Sequence, residues 1–306
     1  MNHENGNEAV IEVSRLRKSF GDVRALDGVD LTIGRGHIVG LLGANGSGKT
    51  TLLRHLIGHC LPDEGTCRTL GCNAADLGAH ELSRIGYVHQ EGKLLGWLKV
   101  QAMIDYVAAY YPNWDRDMER SLMEKARLDP NARVSALSPG QRQRLAVILA
   151  LCFHPELLIL GEPAAGMDPL ARMDFLELLV DQLQDEDRTI LISSHILSDV
   201  EKIMDHVVIM DEGKILRDCS LDELRGEFTN VRIVSSNGDL PESLPLHGIV
   251  DERRERRQAD LIVQRLDAQA LDAFVRESGS EVETSPVSLE ESYRHVVEGE
   301  HEGGRG

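Results

Sequence analysis

The chain has 306 residues, 42% hydrophobic and 27% charged, enough for a full core in one large domain or two unequal ones. Its net charge of −18 and pI near 5.1 argue against wholesale wrapping of nucleic acid, which needs a basic face. Cys60, Cys67, Cys72, Cys152 and Cys219 make no Cys-x-x-Cys pair, the start MNHENGNEAV lacks the regions of a signal peptide, and no eighteen apolar residues run together; free thiols in a reducing cytoplasm and a chain that does not itself span a membrane are expected.

Short apolar alternation over residues 9–33, broken by Gly21 and Gly28, predicts antiparallel strands. Phe20, placed in one of their turns, reads as a core aromatic or, beside a nucleotide site, as a stacking platform for a base. The apolar run 38–42 predicts a buried parallel strand, and residues 50–58 a helix closed by glycine. Between them, Gly43-Ala44-Asn45-Gly46-Ser47-Gly48-Lys49-Thr50 fits the phosphate-loop pattern Gly-x-x-x-x-Gly-Lys-[Ser/Thr] in the strand–loop–helix context that the pattern needs. Glycines let the backbone turn its N–H groups toward a phosphate, and the helix start adds partial positive charge. Lys49 would reach the β- and γ-phosphates and the Thr50 hydroxyl would hold Mg²⁺. The alternative is a glycine-rich turn that matches by chance.

Residues 85–90 read as a strand with Gln90 at its end, where parallel sheets face their ligands, although alone Gln90 is a loop residue. Helical spacing runs from about residue 100 to 128, interrupted at Pro112, and predicts an inserted helical segment. Tyr106, Tyr110, Tyr111 and Trp114 fall there and are expected mainly in its core. Ser138 suits a helix cap and Pro139 the first helical position, so Leu137-Ser138-Pro139-Gly140-Gln141 opens a helix whose start is a second candidate phosphate contact.

The apolar run 157–160 suits a buried strand, placing Glu162 at its carboxyl end, where a carboxylate can orient or activate an attacking water. A helix over residues 170–183 follows, and a strand over 189–193 then delivers Ser194 and His195 to the same edge. Residues 207–210 and 214–216 flank Asp211-Glu212-Gly213 as a hairpin, and Ser220 and Glu223 form a capping box. Beyond Gly226, short alternating strands, a helix over 266–276 and a capping box at Ser288 and Glu291 describe a small α+β domain. The mixed charge run 251–257 reads as a solvated loop and the last residues, EGEHEGGRG, as disordered.

Together these motifs resemble the ATP-binding subunit of an ABC transporter over residues 9–225: the P-loop, Gln90 as Q-loop, residues 137–141 as signature, 157–162 as Walker B strand, 165–168 as D-loop, and His195 as switch. The resemblance implies an α/β fold with a P-loop NTPase core of mainly parallel sheet flanked by helices. It also implies an antiparallel β subdomain and an inserted helical subdomain at about 91–150. An accessory domain over 226–298 and a disordered tail over 299–306 complete the expected organisation. It implies head-to-tail pairing with a second ATP-binding subunit, each ATP lying between one copy's P-loop, Gly43 to Thr50 with Thr51, and the other's Ser138, Gly140 and Gln141, with Asp168 nearby. It implies adenine stacking on Phe20, Mg²⁺ sensing by Gln90, catalysis by Glu162 and γ-phosphate contact by His195. The partners implied are membrane-spanning permease subunits and no nucleic acid, with the chain at the cytoplasmic face of the membrane. The segment YYPNWD and the tail SLEESYRHVVEG are similar to those of bacterial export-type members.

Two positions depart from the family pattern. Pro139 replaces a glycine of the signature and removes a backbone donor. Gly161 replaces the aspartate that precedes the catalytic glutamate and holds Mg²⁺ through water. Two functions therefore stand side by side: an ATPase powering transport, and an ATP-binding regulatory subunit of weak hydrolysis. Retention of Glu162, His195 and Asp168 favours the first; a soluble mechanical ATPase is disfavoured by the single cassette.

Overall fold

Alternation builds the first sheet. In β1 (Ala9–Phe20) and β2 (Val23–Gly34), Ile11, Val13, Leu16, Leu26, Val29, Leu31 and Ile33 are buried. The two strands pair antiparallel, and β1 pairs on its other side with β4 (Glu64–Thr69), which carries the short β5 (Cys72–Asn73). Phe20 closes β1 opposite Val23, so it is a strand end and not a turn residue. The computed structural model describes residues 9–90, 94–164, 167, 172, 188–236, 238–241 and 243–303. The chain divides into two compact units, Met1–Asp218 and Cys219–Gly306.

The second sheet consists of apolar runs, as expected of strands covered on both faces. Its members are β3 (Ile38–Leu42), β6 (Ile85–Val88), β7 (Leu157–Gly161), β8 (Thr189–Ser194), β9 (His206–Asp211) and β10 (Lys214–Ser220), in the order β10-β9-β3-β8-β7-β6. From β9 to β6 all neighbours are parallel, which brings their carboxyl ends to one edge. Helix α1 (Lys49–Leu56) contributes Leu52, Leu53 and Leu56 to a core shared by both sheets, with Leu41, Ile159 and Leu191. At the opposite edge Glu156 accepts from Arg84 Nε at 2.5 Å and from Arg35 at 2.9 Å, joining the approaches to β3, β6 and β7.

The inserted segment forms α3 (Val100–Ala108), α4 (Arg116–Lys125) and α5 (Pro139–Leu151); the four-residue helix α2 (Ala79–Leu82) precedes it. Asp115 caps α4 by accepting from the N–H groups of Asp117 and Met118, the arrangement that satisfies a helix start. Of the aromatics expected inside, Tyr111 stacks on Phe153 at 4.0 Å and Trp114 donates to Glu119, whereas Tyr106 and Tyr110 are 50% and 69% exposed. Their edge-to-face pairing at 5.6 Å shields them from water only partly. The helix expected over 170–183 lies outside the described residues, apart from Arg172.

The second unit is a four-stranded antiparallel sheet, β12-β13-β11-β14, built from β11 (Phe228–Val234), β12 (Ile249–Arg254), β13 (Gln258–Gln264) and β14 (Glu281–Pro286). Val231, Ile233, Leu261 and Val263 on one face meet Leu271 and Phe274 of the helix Ala268–Ser278. Two expectations fail here. The charge run 251–257 is not a loop through its first half, because β12 pairs with β13 and sets Arg253 opposite Asp260. The chain is not disordered from residue 299, because the helix Leu289–Gly303 continues to residue 303; residues 304–306 lie outside the described residues. Among the described residues no helix is long and apolar enough to cross a membrane.

Candidate functional site

Leaving β3, the chain turns through Gly43 to Gly48 into α1, as the glycine spacing demands. A Cβ at Gly43 would lie 2.4 Å from both the Met210 carbonyl and the Ser47 hydroxyl, so only glycine fits. Gly48 takes φ +106° beside the Ala25 carbonyl and precedes α1 without any side-chain cap. The first intrahelical bond runs from the Leu52 N–H to the Gly48 carbonyl, which leaves the N–H groups of Lys49, Thr50 and Thr51 at an open, electropositive helix start. Ala44, Asn45 and Gly46 form the exposed rim, while Ser47 is buried and its hydroxyl has no hydrogen-bond partner among the described residues. An orphaned hydroxyl and an uncapped helix start suit an incoming phosphate chain.

Lys49 is 6% exposed, and its ammonium donates to the carbonyls of Gly43 at 2.7 Å and Ala44 at 3.0 Å. Burial pushes its pKa below the usual lysine value, and the Glu162 carboxylate, 3.8 Å away, opposes that fall. Glu162 follows the last residue of β7 with φ 47°, a left-handed conformation that a side chain adopts only under constraint. Its N–H donates to the hydroxyl of Ser193 at 3.1 Å, which fixes the turn. The carboxylate, 6% exposed, then reaches His195 Nδ1 with its other oxygen at 2.6 Å. Lysine, glutamate and histidine thus converge from α1, β7 and β8.

Sequence reasoning did not single out Ser193. The signal was present: two serines end an otherwise apolar strand, beside the carboxylate.

Gln90 is exposed, two residues beyond β6, and its N–H group stands 3.4 Å from where a Cβ of Gly161 would be. Gly161 pairs with Ser193 across β7 and β8. Phe20 is 52% exposed, with the Lys18 ammonium 5.6 Å from its ring centroid. Ser138 caps α5, accepting from the Gln141 N–H while Gln141 Oε1 accepts from the Ser138 N–H; Pro139 takes the first helical position. Gly140 begins the same helix, within reach of Met167. Ala165, Gly166 and Asp168 lie outside the described residues. For Mg²⁺, the Thr50 hydroxyl and the Gln90 amide are oxygen donors of the type a hard cation takes, and position 161 offers none.

A phosphate loop on the central strand, with a carboxylate and a histidine at the same sheet edge, defines a nucleotide-binding protein of the P-loop NTPase fold. The family model for ABC transporters matches residues 26–165. The Nod factor export ATP-binding protein I of Ralstonia nicotianae is 33% identical over 277 residues, covering 89% of this chain and 86% of that protein. A solved ATP-binding subunit of an ABC transporter superposes with TM-score 0.64 at 29% identity, covering 71% of this chain and 92% of its own. The cassette MJ0796, solved as a dimer in a post-hydrolysis state with ADP and Pi, shares the fold at TM-score 0.61 and 23% identity, covering 69% of this chain and 98% of its own. The chain belongs to the ABC transporter family, as an ATP-binding subunit.

Proposed function

We propose that the chain binds ATP with Mg²⁺ at the cytoplasmic face of a membrane and hydrolyses it to drive separate membrane-spanning permease subunits, in the export direction. The observation that carries hydrolysis is the convergence of Lys49, Glu162 and His195 within one buried cluster. Lys49 exchanges its two loop carbonyls for the β- and γ-phosphates, while the N–H groups of the loop and helix start take up charge. Glu162, held by Ser193, orients and polarises the water that attacks in line; His195 supports the γ-phosphate. Thr50 and Gln90 would hold Mg²⁺, which would supply charge neutralisation at the phosphates. Phe20 offers its ring to adenine. The signature Ser138, Gly140 and Gln141, with Asp168, act on the ATP of a second ATP-binding subunit, homologous or identical, in a head-to-tail pair. The name of the Ralstonia relative supports export, and the MJ0796 dimer supports pairing.

A second reading, an ATP-binding regulatory subunit with slow turnover, is favoured by one observation, the absence of a carboxylate at Gly161. ATP hydrolysis measured with the permease subunits present separates the two. Lys49→Ala should abolish ATP binding or turnover, because the point charge on the phosphates is lost; wild-type turnover in that variant would refute the site.

A further inference from the structure

Strand β1 loses one of its neighbours before it ends. Its ladder with β4 stops at the pair Arg17 and Glu64, and its ladder with β2 shifts register between Lys18 and Ser19. The last residues of β1, which carry Phe20, are therefore the least held by backbone pairing. Asp63, the residue before β4, closes that gap. Its N–H donates to the Arg17 carbonyl at 2.9 Å, one carboxylate oxygen accepts from the Ser19 N–H at 2.7 Å, and the other accepts from the Lys18 ammonium at 2.7 Å. The bonds from Lys18 and Ser19 keep the Asp63 carboxyl below the usual carboxylate range, so it accepts both at neutral pH. The Lys18 ammonium in turn stands 5.6 Å from the centroid of the Phe20 ring, a cation–π contact. Phe20 remains 52% exposed, which leaves ring surface for a ligand.

We propose that Asp63 is the positioning residue for the base of the nucleotide, holding the Phe20 ring through Lys18 and Ser19 at a set distance from the phosphate loop. The proposal rests on the reading of Phe20 as the adenine platform and adds what sets that platform in place. Asp63 lies in the segment that leads from α1 to β4, and α1 begins at the phosphate loop. That segment is tied to α1 at two points: the His59 N–H donates to the Arg54 carbonyl at 2.8 Å, and the Thr69 hydroxyl of β4 donates to the Leu56 carbonyl at 2.7 Å. An exposed ion pair such as Lys18 with Asp63 adds little to stability. Its effect is on the ring, because a platform fixed before the nucleotide arrives loses less freedom on binding. A bare triphosphate needs only the loop, whereas a nucleoside triphosphate gains from loop and platform together.

Equilibrium binding of ATP and of inorganic tripolyphosphate, each with Mg²⁺, to the full chain tests the assignment. A base stacked on an aromatic side chain is worth about five- to a hundredfold in affinity. Phe20→Ala should lose that factor for ATP and nothing for tripolyphosphate. Asp63→Ala should weaken ATP about 10-fold, again without change for tripolyphosphate, and unchanged tripolyphosphate binding also shows that the variant has folded. In the Phe20→Ala background Asp63→Ala should have no further effect, since there is no ring left to hold. Asp63→Asn, whose amide oxygen still accepts from the Ser19 N–H, should recover most of the loss, and Lys18→Met, which keeps the stem without the charge, should lose less than Asp63→Ala. A full Phe20→Ala loss beside a silent Asp63→Ala overturns the role of Asp63 and leaves the stacking intact. Wild-type affinity in Phe20→Ala overturns both. An Asp63→Ala loss equal for ATP and tripolyphosphate, or one that persists without the ring, assigns the residue to the fold of the loop and also overturns the proposal.

Discussion

At position 161 a glycine ends β7 directly beneath the Gln90 backbone, where a carboxylate would help retain Mg²⁺. A Cβ there would sit 3.2 Å from the Val88 carbonyl and 3.7 Å from Leu53 Cδ1, a contact relieved by a shift of a few tenths of an ångström. Gly161→Asp should therefore fold, at a stability cost of about 1 kcal/mol. It should lower the Mg²⁺ requirement and raise the hydrolysis rate about 10–100-fold, equivalent to about 1.4–2.7 kcal/mol, the range for lost outer-shell partners. A Mg²⁺ titration of the ATPase rate for both proteins decides it. Overlapping curves would mean that another group, Glu162 among the candidates, already supplies the missing charge.

Among the elements, the starts of β6 and β7 are held by Glu156, whose carboxyl the Arg84 guanidinium keeps at a pKa of about 2, with Arg35 adding to the effect. A carboxyl lowered on folding stabilises the folded state above its unfolded value near 4.5, and that contribution disappears as pH falls toward about 2. Glu156→Gln should cost about 1–2 kcal/mol at neutral pH, with allowance for screening of a side chain 37% exposed. Thermal melts of both proteins should converge between pH 4.5 and 2; a constant gap would assign the effect to packing. The parallel strands were legible because they are unbroken apolar runs, and α5 because serine, proline and glutamine mark its start. β12 was illegible because its residues, all but Ile249 exposed, are mostly charged. Only their register against β13, with Arg253 opposite Asp260, makes the segment a strand. The left-handed turn at Glu162 was equally hidden, since it depends on Ser193 from a strand far along the chain.

For the whole molecule, head-to-tail pairing predicts that Glu162→Gln, which keeps the shape and loses the carboxylate, accumulates as an ATP-bound dimer. The Glu162→Gln chain should elute as a monomer without nucleotide and as a dimer with ATP and Mg²⁺ in size-exclusion chromatography. A persistent monomer would count against the sandwich. The phosphate loop also has a history in the making of the chain. Its Ser47 carbonyl accepts from the Gly213 N–H, the Gly213 carbonyl accepts from the Asp27 N–H, and at the opposite edge of the sheet that carries the loop the Gly36 N–H donates to the Thr189 hydroxyl, 153 residues away. A growing chain emerging from the ribosome therefore holds the whole P-loop sequence long before anything can brace it. Domains fold as units during synthesis, and non-local pairings come late. The pocket should mature only after the turn at Glu212 and Gly213 has left the exit tunnel, so that truncated nascent chains neither capture ATP nor gain protection from proteases by its presence.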